Sequence, residues 1–168
     1  MATTTLRTTE SARRAARAWV AMLHAHTALT RAFNADLQAG HGITVTDFEV
    51  LRHLEGAPDG HLRRVDLAQL VGLTPSGITR LLDGLEAGGL VEKAQCTSDA
   101  RVTYARLTDD GRTLLHRAAA THLAAIDALF QERFTSQEAD RLGELLERLP
   151  REGDQGSCPH ADQAGAGS

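Results

Sequence analysis

The chain has 168 residues, of which 42% are hydrophobic and only 4% aromatic, and its formal net charge is −4. This length suits a single domain whose small core is filled mainly by leucine and alanine, so helices are expected to dominate. The sequence has no run of about 18 apolar residues and no long apolar run near its start. It therefore predicts neither a membrane span nor a signal peptide, and it favours a cytoplasmic location.

Charge is unevenly distributed along the chain. Residues 61–101 hold five basic and five acidic residues, whereas residues 102–168 hold seven basic and eleven acidic ones. A local basic cluster acts over about one Debye length, roughly 8 to 10 Å, even within a neutral domain. The net charge therefore neither supports nor excludes a nucleic-acid partner.

The N-terminal part predicts a mobile arm followed by one long helix. Residues 1–10 are rich in threonine and have no hydrophobic period, whereas from about Ser11 apolar residues recur every three or four positions until Gly40 and Gly42 end the helix. A helix of about 27 residues would span roughly 40 Å, longer than one small lobe needs, which suggests burial against a second subunit. The predicted buried stripe is Trp19, Leu23, His26, Leu29, Phe33 and Leu37.

Two shorter helices are predicted next. Thr46-Asp47-Phe48-Glu49 fits a capping box, and the helix that it opens should run to about Gly56 and bury Phe48, Leu51 and Leu54. The Pro and Gly of residues 57–60 predict a turn. The segment "RRVDLAQLVGL" then predicts a helix that buries Val65, Leu67 or Ala68, and Leu70, with Gly72 supplying a tight exit.

The stretch "LTPSGITRLLDGLEAGGLVEK" predicts a helix with an unusual first turn. Thr74 is a good N-cap, Pro75 is tolerated at the first helical position, and Ser76 and Gly77 complete a turn whose free N–H groups suit a phosphate. Ile78, Leu81, Leu82 and Leu85 should share one face, which leaves Ser76, Thr79, Arg80 and Asp83 near the opposite face. A short helix, a tight turn and a polar-faced helix are typical of a helix-turn-helix, although an ordinary well-capped surface helix explains this stretch alone equally well.

The residues that follow favour the winged form of that motif. Gly88 and Gly89 end the helix, residues 90–93 and 101–107 predict two strands, and residues 94–100 predict the polar turn between them. Thr108 should cap another helix, in which Leu115, His122 and Leu129 are seven apart. Thr135-Ser136-Gln137-Glu138 predicts a second capping box, opening a last helix that Pro150 closes, and residues 150–168 predict a disordered tail.

Taken in order, these pieces resemble the MarR family of transcriptional regulators over about Ala12 to Leu149. The resemblance is carried by Leu67-Ala68, Arg80-Leu81, Leu85-Glu86, Gly89-Leu90-Val91, Asp99-Ala100-Arg101 and Leu107-Thr108-Asp109-Asp110-Gly111. It implies a mainly α fold of the α+β winged-helix class, with a helix-turn-helix lobe and two-stranded wing at about 44–108. Dimerisation helices at about 11–39 and 109–149 would flank that lobe.

The resemblance also implies a function. It predicts a homodimeric, sequence-specific regulator of double-stranded DNA that acts as a repressor, with a palindromic operator whose half-sites lie about 34 to 36 Å apart. Arg101 would enter the minor groove at the wing tip with Asp99 orienting it. Arg101 is the only basic residue at the predicted wing tip, where many relatives carry several, so weaker contact with the DNA backbone or greater dependence on the recognition helix is expected. The predicted DNA-binding residues are Arg63, Arg64, Thr74, Pro75, Ser76, Gly77, Thr79, Arg80, Thr97, Ser98, Asp99 and Arg101.

An alternative is a winged helix that binds protein instead of DNA, since this fold serves both purposes. Arg63, Arg64, Arg80 and Arg101 distinguish the two hypotheses, because they should cluster on one face if DNA is the partner.

Family members commonly respond to small aromatic acids, and no motif here marks such a site. Arg17, Trp19 and His24 could offer a small aromatic or phenolic effector a cation, a stacking face and a switchable donor. The competing interpretation makes Trp19 part of the core or dimer interface and Arg17 a solvated charge. That interpretation is the stronger one for both residues.

Metal, redox and enzymatic functions find little support. His24 and His26 point roughly 200° apart on a helix, and the six-residue spacing of His116 and His122 is also poor for a shared ion, so no metal or cofactor is predicted. Cys96 and Cys158 lack C-x-x-C spacing, which predicts free thiols, and the first helix has no cysteine of the kind that peroxide-sensing relatives use. No catalytic motif is present, so the chain is not predicted to be an enzyme.

Overall fold

The computed structural model describes residues 9–57, 60–95 and 103–149, and the predicted arm, wing turn and C-terminal tail lie wholly or mostly outside these ranges. Six helices and three strands occur within the described residues. In chain order they are α1 (Glu10–His41), α2 (Val45–Glu55), β1 (His61–Arg63), α3 (Arg64–Leu70), α4 (Pro75–Ala87), β2 (Val91–Gln95), β3 (Thr103–Leu107), α5 (Asp109–Arg133) and α6 (Ser136–Leu146).

Helix α1 is the long N-terminal helix that the sequence predicts. It has 32 residues and is capped by Thr9, whose hydroxyl accepts a hydrogen bond from the Ala12 backbone N–H. It ends where Gly42 adopts a left-handed conformation with φ 71° and donates its N–H to the Gln38 carbonyl. The predicted glycine stop is therefore confirmed, and the helix is somewhat longer than expected.

The predicted cap of α2 is wrong by two residues. Thr44, not Thr46, is the N-cap: its hydroxyl accepts from the Asp47 N–H, and the Asp47 carboxylate accepts from the Thr44 N–H at 2.8 Å. The Val45 N–H donates at 2.7 Å to the side-chain oxygen of Asn34 on α1, which satisfies a further free donor at this helix end. The predicted buried residues Phe48, Leu51 and Leu54 are confirmed.

Helices α3 and α4 form the predicted helix-turn-helix. Gly72, with φ 65°, makes the tight exit from α3, and the next residue, Leu73, donates its N–H to the Ala68 carbonyl at 2.8 Å. Leu67 and Ala68 are buried as predicted. Val65 and Leu70 are not: they are 52% and 44% exposed, because seven residues make barely two turns and only one side of α3 meets the core.

A three-stranded antiparallel sheet in the order β1-β3-β2 follows, where the sequence predicted only the two wing strands. Strands β2 and β3 confirm that hairpin, and Lys93 lies opposite Ala105 in its register. The additional strand β1 pairs with the outer side of β3 over only three residues, His61 opposite Arg106 to Arg63 opposite Tyr104. The three-residue strand is too short to show an alternating pattern, so the sequence gives no sign of it.

Thr108 joins the end of the helix-turn-helix to the start of α5. Its hydroxyl donates to the carbonyls of Gly89 at 2.7 Å and Leu90 at 3.0 Å, and it accepts from the Gly111 N–H at 3.0 Å as the predicted N-cap. Gly111 is buried so closely against Leu90 that a Cβ at this position would overlap the Leu90 carbonyl oxygen. The lobe and the long helix are therefore tightly connected.

The core belongs mainly to the lobe, with contributions from the C-terminal end of α1 and the N-terminal half of α5. Helix α6 opens with the predicted Thr135–Glu138 capping box and buries no residue. It ends at Leu146, before Pro150, which lies outside the described residues. None of the helices that the structure describes has the length and hydrophobicity needed to span a bilayer.

Candidate nucleic-acid interface

The first turn of α4 has the geometry that the sequence predicts. The Thr74 hydroxyl accepts the Gly77 N–H at 3.1 Å, Pro75 occupies the first helical position, and the Ser76 hydroxyl lies 3.3 Å from that of Thr74. Gly77 fits closely, because an added Cβ would lie 3.1 Å from the Thr74 hydroxyl. Thr74, Pro75 and Ser76 are exposed, so this helix end presents small and polar groups at the surface.

The two faces of α4 are sharply different. Ile78 and Leu82 are fully buried and Leu85 is nearly so, whereas Ser76, Arg80 and Asp83 are exposed. Thr79 is half-buried, and its hydroxyl donates to the Pro75 carbonyl at 2.8 Å. The apolar face therefore fixes the helix on the lobe while the polar face stays accessible along its N-terminal half.

The arginines of this surface differ in their electrostatic environment. The guanidinium of Arg63 makes a bidentate ion pair with Asp66, with N–O distances of 2.8 and 2.7 Å, and this hydrogen bonding raises the pKa of Arg63 above its ordinary value. Within the described ranges, Arg64 and Arg80 have no such carboxylate partner. Arg64 lines an open cleft of about 410 Å³ together with Thr79 and the acidic residues Asp83 and Glu86. Arg80 is exposed on α4.

The wing is described only at its base. Thr97, Ser98, Asp99 and Arg101 lie outside the described residues, so their predicted contacts with DNA stay predictions. At the base, the Lys93 ammonium lies 2.5 Å from an Asp83 oxygen and 2.7 Å from a Glu86 oxygen. The sequence analysis did not assign Lys93 or Glu86 to the site. A signal was present in the sequence: Asp83 and Glu86 lie three residues apart on the exposed side of α4, and Lys93 is the single basic residue of the strand that follows.

The three predicted effector residues do not converge within one subunit. Arg17, Trp19 and His24 all lie on exposed parts of α1. At about 100° per residue, Arg17 and His24 share one side of the helix, and Trp19 lies roughly 140 to 200° away from them. Trp19 is 56% exposed, among several large apolar side chains that α1, α5 and α6 leave uncovered.

Two of the histidines considered as metal ligands, His116 and His122, contact other side chains. His116 lies 2.7 Å from a Glu55 oxygen, and the His122 ring packs edge-on against Phe33 and Phe48. Among residues 9–57, 60–95 and 103–149, no group of three or more potential ligands is placed to hold a metal ion.

The arrangement defines a winged helix-turn-helix protein, and comparison with known proteins identifies its family. The MarR family model matches residues 41–102. An HTH-type transcriptional repressor of Mycobacterium tuberculosis is 34% identical over 108 residues, covering 64% of this chain and 76% of the relative. The regulator MhqR of Bacillus subtilis is 30% identical over 109 residues, covering 65% and 73%. This chain belongs to the MarR family of transcriptional regulators.

Solved structures agree with this assignment. A MarR family regulator from Streptomyces coelicolor, determined in complex with DNA, superposes with a TM-score of 0.70 at 30% identity, covering 77% of this chain and 81% of that one. The regulator AbsC from the same organism gives a TM-score of 0.71 at 26% identity, covering 85% and 94%. The predicted winged-helix fold class is confirmed.

Proposed function

We propose that this chain is a sequence-specific regulator that binds duplex DNA with the N-terminal end of α4 in the major groove. The observation that carries the proposal is the exposed first turn of α4, which presents small and polar groups and is followed on the same helix by the exposed Arg80. Small residues allow close approach to a groove, and an arginine can bond both acceptors of a guanine edge. The wing, with Arg101 at its tip, would contact the minor groove.

The proposed active form is a homodimer formed by the long helices. In the described subunit, α6 buries nothing, and several large apolar side chains on or directly after α1, α5 and α6 are 38 to 65% exposed. Covering them with a second copy would remove this apolar surface from water and place two α4 helices symmetrically. These side chains are Trp19, Val20, Leu23, Leu123, Phe134, Leu145, Leu146 and Leu149.

Repression is the proposed sign of regulation, since a dimer that covers a promoter blocks polymerase without further contacts. The relative from Mycobacterium tuberculosis is named a transcriptional repressor. We propose a cytoplasmic, non-enzymatic protein, because a regulator that acts by occupying promoter DNA needs neither a membrane nor a catalytic site.

A small aromatic or phenolic effector that releases the DNA remains part of the proposal. Arg17 and His24, on one side of α1, would bind its acid group, and Trp19 belongs better to the dimer surface. Titration of the protein–DNA complex with salicylate tests this, and an Arg17→Ala variant should need a higher concentration for release. An unchanged release curve in that variant would remove Arg17 from the site.

The alternative, a protein-binding winged helix, predicts scattered arginines. A DNA partner requires Arg64, in the cleft beside Thr79, and the exposed Arg80 to face the same duplex, and this is the arrangement that we propose. Arg63 is ion-paired with Asp66, so it would contact DNA only by exchanging that carboxylate for a phosphate.

The deciding experiment selects duplexes from a random pool with the purified full chain and measures their binding by fluorescence anisotropy across a salt series. Recovery of a palindrome with half-sites about one helical turn apart and with salt-dependent affinity is expected. Weak binding without sequence preference would support the protein-binding alternative instead.

A further inference from the structure

Lys93 connects the base of the wing to the exposed side of α4. Its ammonium lies 2.5 Å from Asp83 and 2.7 Å from Glu86, and its backbone N–H donates to the other Glu86 oxygen at 3.3 Å. The Lys93 side chain is only 26% exposed, although both carboxylates are more accessible. We call these three residues the Lys93 cluster.

The cluster forms a second link between α4 and β2, which are already joined by a short turn. Strand β2 follows α4 through Gly88, Gly89 and Leu90, in which Gly89 has φ 71°. The Lys93 cluster bridges the same two elements further along, so it restrains the angle at which the hairpin leaves the helix. Hydrogen bonds to Asp83 and then to Glu86 raise the pKa of Lys93, because they stabilise its charged form.

The cluster lies between the two elements that are proposed to contact DNA, namely the N-terminal end of α4 and the wing. Asp83 is one turn beyond Thr79 and Arg80 on α4, and Lys93 is on the strand that leads to the wing turn. Lys93 is also the only basic residue of β2, and its ammonium is paired with acidic residues of α4 instead of being exposed towards a phosphate.

We propose that Asp83, Glu86 and Lys93 are positioning residues for operator recognition, which hold the wing at the separation from α4 that lets both elements contact one site. This inference rests on the proposed DNA-binding function. Preorganisation of two contact elements avoids ordering them at the moment of binding, so it favours the DNA that needs both contacts at once.

Electrostatics alone gives the opposite expectation for the two acids. Asp83 and Glu86 are negative groups near a surface that would face phosphates, so neutralising them should tighten binding to any duplex. If they position the wing, the same change should weaken binding to the operator while it strengthens non-specific binding. The two interpretations therefore differ in the sign of one measured effect.

The test compares full-length wild type with Asp83→Asn/Glu86→Gln, using the selected operator duplex and a scrambled duplex of equal length at one salt concentration. We expect the variant to bind the scrambled duplex more tightly and the operator about three- to tenfold more weakly. Lys93→Met should also lose operator affinity, and Lys93→Arg, which retains a cation that can reach both acids, should recover it to within about twofold.

Two results would overturn the inference: an operator affinity that rises in parallel with the scrambled duplex, or one that does not change. Thermal unfolding is measured for every variant, and Glu86→Gln alone replaces the double variant if that one does not fold. A wild-type protein that selects no duplex would count against the proposed function itself, before any variant is compared.

Discussion

The carbonyl oxygen of Leu90 lies directly against the α-carbon of Gly111, in the space that a Cβ would occupy. The Thr108 hydroxyl donates to that same carbonyl and accepts the Gly111 N–H, so one small group of atoms joins the exit of α4 to the entrance of α5. The Leu107–Gly111 segment of the family resemblance therefore has a steric basis here: only glycine fits.

Gly111→Ala should destabilise the fold by about 1 to 3 kcal/mol, because the added methyl must displace a backbone carbonyl or the Leu107 side chain. Gly84→Ala is the matched control, since nothing lies within 4 Å of the position that its Cβ would take in the α4 helix. That change should instead stabilise by about 0.5 to 1 kcal/mol. Urea denaturation measures both, and equal effects would refute the packing explanation.

Arg80→Ala should weaken operator binding by about 1 to 3 kcal/mol, with the loss concentrated at one base position. Arg80 is exposed and, in the described part of the chain, has no acidic partner, so its side chain is free to read a base. Binding to a panel of singly substituted operators measures the effect. A uniform loss across the panel would reassign Arg80 to the DNA backbone.

Arg101→Ala should reduce affinity for all duplexes and make the salt dependence shallower by about one unit of slope. The reason is that Arg101 is the single cation at the predicted wing tip, and its loss removes one release of counterions. Anisotropy at several salt concentrations provides the measurement. An unchanged slope would mean that the wing does not approach a phosphate.

His122 should make the protein less stable in mild acid. The ring centroids of Phe33 and Phe48 lie 5.0 and 5.2 Å from that of His122, and burial lowers the pKa of His122 below its usual 6.5, although Glu49 and Asp36 partly oppose this. The unfolded chain therefore takes up the proton first, so stability is complete above about pH 6.5 and falls as the pH drops towards the folded-state pKa.

His122→Phe keeps an aromatic ring at this position and removes its titration. The free energy of unfolding, measured in urea between pH 5 and 8, should fall less steeply with acid in the variant than in the wild type. Some dependence should remain, because burial also lowers the pKa of His53. Identical slopes for the two proteins would exclude His122 as the source.

Leu146→Glu should shift the chain towards monomer, since Leu146 is 45% exposed on a helix that buries nothing in its own subunit. A carboxylate placed in an apolar interface costs several kcal/mol, so the dissociation constant should rise by at least about tenfold. Sedimentation velocity measures this. Leu70→Glu, at a similarly exposed leucine on α3, should leave the oligomeric state unchanged.

Local sequence signals predict most of the helix ends correctly. Thr74, Thr108 and Thr135 cap the starts of α4, α5 and α6. Gly42, Gly72 and Gly89 adopt the left-handed conformation after the ends of α1, α3 and α4. These features succeed because a cap or a positive φ is decided by residues within one turn of each other.

The errors occur where a distant contact decides between local alternatives. Thr44 and Thr46 both precede an acid by three residues, and the hydrogen bond from Val45 to Asn34, eleven residues away on α1, favours the earlier start. Likewise, β1 exists only through its pairing with β3. Lys93 was missed in the candidate site for the same reason, since its partner Asp83 is ten residues away and on another element.

The junction at Thr108 also has a mechanical consequence. Helix α5 has 25 residues, so it is a rod about 37 Å long, with one end bonded to the exit of α4 and the other among the helices of the proposed dimer surface. Tilting such a rod by about 5° moves its far end by roughly 3 Å, close to the spacing of ~3.4 Å between successive bases. Small rearrangements among the long helices would therefore move the α4 helices relative to DNA by about the spacing of one base.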